Sequence, residues 1–128
     1  MEHTPQFAMI ERYGQARGLR FKIAPKLQAE IWYCPKDVKI PPHIHRYLDS
    51  FIIYLFGRMR VTVEDKTREV CGPIRRREST GRLTWAVRYI PAGVRHCAEV
   101  VGNFAIFINL ERCHAGAVSA SKDFLLVE

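Results

Sequence analysis

Long apolar runs are missing from this chain. Phe51–Phe56 is strand-sized, far short of the roughly 20 residues that carry a helix across a bilayer. The opening Met1–Pro5 has no basic region followed by an apolar one, so no secretory leader is expected and the cytoplasm is the expected compartment. Paired cysteines are also missing. Cys34, Cys71, Cys97 and Cys113 form no Cys-x-x-Cys, which excludes the spacing of a zinc ribbon or knuckle. They read as reduced thiols that pack as small hydrophobes, Cys97 alone drawing notice because it follows His96. Acidic residues are the scarcer charge, 13 against 20 Lys and Arg, leaving a net charge of +7. Such a balance invites anionic partners. No helix-turn-helix, zinc-finger or aromatic-plus-basic RNA signature accompanies it, so nucleic acid is not the expected partner.

What is present is one domain's worth of core-forming sequence. With 128 residues, 48% hydrophobic and 26% charged, the chain escapes the composition of disorder and suits a single domain over 1–128. No repeat, low-complexity tract or linker divides it. Apolar or alternating segments of four to eight residues recur between turn formers: Leu19–Ile23, Gln28–Cys34, Phe51–Phe56, Arg58–Glu64, Leu83–Ile90, Cys97–Val101, Phe104–Leu110 and Phe124–Val127. Many short strands at such spacing predict an all-β sandwich or barrel. Thr4–Gly14 is the one stretch suited to a short helix. Gly72–Gly81, holding Arg75, Arg76 and Arg77, reads as a long solvated loop, with anion binding as the lesser alternative.

Strand parity refines this. Met59, Val61 and Val63 share one face; Arg58, Arg60, Thr62 and Glu64 share the other. Ser50–Phe56 is apolar on both faces, a pattern that calls for cover on both sides. A homodimer would supply it.

Three of the five histidines sit in suggestive places. His43 and His45 are two residues apart on an extended segment, so both rings project to one side and can reach one ion. His96 follows the turn Pro91–Arg95, from which a neighbouring strand would present a third ring. His3 and His114 read as surface residues.

Pro42–His45, an apolar strand ending at Gly57, and Pro91–His96 together resemble the two motifs of the cupin superfamily, written G-x5-H-x-H-x3/4-E-x6-G and G-x5-P-x-G-x2-H-x3-N. The resemblance spans roughly residues 28–110. It implies a double-stranded β-helix, or jelly-roll barrel, over roughly 19–112, with 1–18 and 122–128 packing on it. It also implies a divalent transition metal on His43, His45 and His96. Asp37, Trp85 and Val100 replace the motif's two glycines and its asparagine. The glutamate position falls on Asp49 counted from His45 and on Ser50 counted from Gly57. Adjacent strand residues face opposite ways, so only one can face the metal. Asp49 would add a carboxylate ligand. Ser50 would leave a bare three-histidine face, as in cysteine-dioxygenase-like and diketone-cleaving cupins. A third outcome is a relic without tightly held metal. The Ser50 register is favoured because it preserves the spacing to Gly57.

Imidazole ligands suit Fe, Mn, Ni, Cu and Zn, with Fe(II) favoured for a site with open positions. The expected function is therefore dioxygenation of a small chelating substrate. The alternatives are a metal-dependent isomerase and a non-catalytic barrel that binds a small molecule or anion through a degenerate metal site. Tyr54, Arg60, Trp85 and Arg88 are the pocket candidates, Tyr54 also the one weak catalytic candidate. The arginines could clamp a carboxylate if they point inward. Glu99 is a nearby base or, by default, a rim charge.

Overall fold

The computed structural model describes residues 7–12, 15–72, 75–77, 83–85, 87–114 and 125–126, and among these there are strands and no helix. In chain order they are β1 (Phe7–Arg12), β2 (Ala16–Ala24), β3 (Leu27–Pro35), β4 (Lys39–Ile44), β5 (Leu48–Val63), β6 (Lys66–Cys71), β7 (Arg75–Arg77), β8 (Leu83–Trp85), β9 (Val87–Ile90), β10 (His96–Cys113) and β11 (Leu125–Leu126). Every pairing is antiparallel. The expected all-β architecture is found.

Two strands organise the rest. β10 runs alongside β5 from His96↔Val63 to Cys113↔Leu48. Its other edge is shared: the first part pairs with β4 and the later part with β3, which continues to β2 and β1. β5 carries β6 and β9 on its second edge. Segments that the sequence presents as separate strands are thus continuous. Gly57, at φ 79°, joins Phe51–Phe56 to Arg58–Val63, and Gly102, at φ 90°, joins the two halves of β10.

At these glycines the inward face changes parity. Ser50, Ile52 and Tyr54 are buried before Gly57, Met59 and Val61 after it. On β10 the inner positions His96, Ala98 and Val100 give way to Ala105, Phe107 and Glu111, and the register shifts between Val101 and Ala105. Extra residues in a ladder, here three on β10 between Val101 and Ala105 and Leu55 on β5, bend the strands and re-aim their side chains. The core between the bent strands holds Trp32, Ile52, Tyr54, Met59, Val61, Ile90 and Phe107.

Two expectations are corrected. Phe7–Arg12, inside the stretch suited to a helix, is a strand paired residue for residue with β2 from Phe7↔Phe21 to Arg12↔Ala16; residues 4–6 and 13–14 lie outside the described ones. A segment this short makes a marginal helix alone, and the edge of β2 offers it a full ladder. Arg75–Arg77, expected in a loop, lie on a strand as well, paired with Leu83–Trp85 in a separate two-stranded ribbon. The remainder of that loop beyond Gly72, residues 73–74 and 78–81, lies outside the described residues. Leu83–Ile90 is two strands, β8 and β9, with different partners. Asp37, standing at the motif's first glycine position, adopts φ 70°. Asp is among the few residues with a side chain that tolerate this left-handed region, so the backbone there keeps a glycine-like conformation.

Candidate metal centre and pocket

The histidines meet where β4 and β10 pair. His43 lies opposite His96 in the register, and His45 follows β4 directly. The turn before β10 is fastened to the same place: the Gly93 N–H donates to the His45 carbonyl at 2.7 Å. Gly93 has φ 83°, a conformation that glycine adopts without cost. That bond adds to the β4–β10 ladder in tying the two histidine-bearing segments together.

His43, His45 and His96 are 4%, 8% and 9% exposed. Ring centroids are 4.1 Å apart for His43–His96, 4.9 Å for His43–His45 and 5.5 Å for His45–His96. One nitrogen from each lies within 4.8 Å of the others, a spacing suited to a shared ion. The tautomers suit it too. His43 Nδ1 donates to the Pro41 carbonyl at 2.8 Å and His96 Nδ1 to the Val94 carbonyl at 2.9 Å. A carbonyl can only accept, so the proton sits on Nδ1 and the lone pair on Nε2. Backbone partners of this kind orient metal-binding imidazoles. Burial pushes His96 down to about 4; the Val94 carbonyl opposes this and the His45 ring adds to it. The ring is neutral at pH 7, the form that binds metal.

Asp49 stands outside this cluster, contrary to the reading that gives it to the metal. Its Oδ1 accepts from the Ala92 N–H at 2.9 Å, and Oδ2 accepts from Arg112 at 3.0 Å and His114 at 2.8 Å. Burial alone would raise its carboxyl, but these three donors outweigh it and hold the group below its ordinary value. His114 is thus more than a bare surface residue. Ser50, 1% exposed, takes the inward side with Ile52 and Tyr54. The donor set brought together is three imidazoles, which fits a divalent transition metal with open positions.

The cluster opens into a cavity of about 60 Å³ lined by Ile40, Ile52, Tyr54, Met59, Val61 and Phe107 among others. Tyr54 is 3% exposed; burial pushes its phenol up, and Arg88 offsets part of this. Arg88 lies opposite Ile52 on β9, half-buried, on the inward parity of Ile90. Arg60 does not point inward. It reaches Glu99 across the outer face at 2.6 Å, which makes Glu99 a rim charge and removes both from the pocket. The side chains of Trp85 and His3 lie outside the described residues. Cys97 lines the cavity, whereas Cys34 is buried in the core, its thiol pushed up to about 12 by burial.

At the cavity's other end lie two residues that sequence reasoning missed. Glu30 (4% exposed) and Glu111 (2%) face each other there. Glu30 accepts from Arg20 Nε at 2.7 Å and Trp32 Nε1 at 3.0 Å, and Glu111 accepts from Gln28 Nε2 at 2.9 Å. Burial, then the charge of Glu30 and a hydrogen bond shared with it, push Glu111 up to about 8, with Gln28 and Arg20 in partial opposition. A signal existed: Glu30 shares parity with Trp32 and Cys34, and Glu111 with Phe107. Charges on the apolar face of two strands mark a buried polar group.

No protein-family profile matches the chain, and no curated protein matches it in sequence. Solved structures do. KdgF from Halomonas sp. superposes with a TM-score of 0.68 at 15% identity, over 85% of this chain and 88% of that one. An RmlC-like cupin from Shewanella frigidimarina gives 0.66 at 16%, over 91% and 95%. Oxalate decarboxylase from Bacillus subtilis gives 0.67 at 16%, over 94% of this chain and 30% of that one. The fold of this chain is the cupin fold, a double-stranded β-helix.

Proposed function

We propose that this protein is a small metal-dependent enzyme in which His43, His45 and His96 hold a divalent transition metal, Fe(II) foremost, and which oxygenates a small chelating substrate. The observation that carries this reading is the convergence of three buried rings, two with Nδ1 tied to backbone carbonyls, on one cavity. With no carboxylate among the ligands, a divalent ion would keep its full charge to polarise a chelating anion and leave positions for it and for O₂ or water. The chain's own contribution is placement and exclusion. Pro41 and Val94 fix the ring orientations, and Tyr54, Phe107 and Met59 give the cavity an apolar wall. That the fold hosts enzymes is supported by oxalate decarboxylase and by a DMSP lyase structure, which superposes with a TM-score of 0.61 at 12% identity, over 87% of this chain and 53% of that one.

A second reading is favoured by Glu111, a buried carboxyl beside the same cavity whose hold on a proton is raised by burial and by the charge of Glu30. It suits metal-assisted isomerisation, in which a proton leaves one carbon and returns to another. Oxygen uptake separates the two. Iron-loaded protein given a panel of small α-keto and α-hydroxy acids and β-diketones should consume O₂ in step with substrate loss. Substrate conversion without O₂ uptake would favour the isomerase.

A further inference from the structure

Across the inner face, β3, β10 and β5 place Glu30, Asn109 and Ile52 in one row, and Gln28, Glu111 and Ser50 in the next. Glu30 is already matched by Arg20 and Trp32. Three neighbouring acceptors are not so provided. Glu111 receives one N–H, from Gln28. The Ser50 hydroxyl, on a residue 1% exposed and beside Glu111, has no partner among the described residues, and neither does the buried Asn109 Oδ1; a donor left over in the same row is Arg88 Nε, opposite Ile52 on β9. Buried acceptors without donors are costly unless an occupant supplies the donors. Glu30, Glu111, Asn109 and Arg20 all line the cavity that holds the histidines.

We propose that this end of the cavity receives the ammonium group of a small aminocarboxylate whose carboxylate faces His43, His45 and His96. An ammonium presents three donors and can meet both Glu111 and Asn109 Oδ1, which line the cavity, whereas a hydroxyl presents one. The ammonium's charge favours the ionised form of Glu111, which burial and Glu30 disfavour and Gln28 and Arg20 favour, with Arg88 on β9 the other cation on this face. The cavity of about 60 Å³ suits a molecule of few heavy atoms. The carboxylate's placement rests on the metal reading above; the ammonium's does not.

Calorimetric titration of the full chain, with its metal content measured on each sample, tests this with 3-aminopropanoate, 3-hydroxypropanoate and propionate. The amino compound should bind at least about tenfold tighter than the other two, and its advantage should grow from pH 6 to 8.5 as Glu111 releases its proton more readily. Glu111→Gln keeps the acceptor that Gln28 needs, and a melting curve checks its fold. It should bring the three affinities within about threefold. Equal binding of the three probes by the wild type, or an undiminished preference in a folded Glu111→Gln, overturns the proposal. The metal reading fails separately: affinities that are the same in metal-loaded protein and after EDTA has stripped the metal would remove the carboxylate's placement and leave the amine preference standing.

Discussion

Asp49 and Ser50 are neighbours in sequence with opposite surroundings. Asp49 reaches the Ala92 N–H, Arg112 and His114, while Ser50 lies among the inward residues of β5. Asp49→Ala should therefore destabilise the fold by about 1–3 kcal/mol, because it strands a backbone donor and removes charged hydrogen bonds. It should leave the metal content unchanged; urea melts and elemental analysis check both. The sign of its pH dependence follows from the lowered carboxyl. The stabilisation is present above the ordinary carboxylate range and is lost as pH falls through the lowered value. Glu111 behaves oppositely. Its folded-state value, about 8, lies above the ordinary 4.5, so the folded chain binds more protons between the two. Stability should fall as pH rises through that window, and Glu111→Gln should flatten the fall, seen in thermal melts from pH 5 to 9.

At the scale of strands, the glycine bends determine what faces the cavity. A Cβ on Gly57 would sit 2.1 Å from the Phe104 carbonyl oxygen and 2.9 Å from Ala105 Cα, on a backbone at φ 79°. Gly57→Ala should cost about 2–3 kcal/mol or more and broaden the unfolding transition, measured by chemical denaturation. The same bends explain what the sequence concealed. Alternation within Arg58–Glu64 was legible because it obeys period two, and Ser50–Phe56 was legible as a strand apolar on both faces. That they form one strand was not, because parity reverses at Gly57 and the pattern looks like two elements. His43, His45 and His96 were legible through spacing and turn residues. Glu30 and Glu111 were not assembled, since their meeting depends on the register of β3 against β10, which no local pattern reveals.

For the molecule as a whole, the outer side of β5 and β9 remains apolar. Phe51 is 41% exposed and its register partner Tyr89 is 54% exposed, with Val87 at 37%. Cover for this two-sided strand predicts self-association: light scattering at micromolar concentration should return the mass of two chains, and Phe51→Lys should shift it towards one. A wild-type monomer would contradict this without touching the cavity.

Most depends on the three rings sharing an ion. Elemental analysis of purified wild type and of the His43→Ala/His96→Ala variant, both shown to be folded, tests that dependence directly. The wild type should carry about one transition-metal ion per chain and the variant close to none, since a single imidazole holds such ions weakly. Equal metal in the two proteins, or none in wild type after incubation with Fe(II), would contradict it.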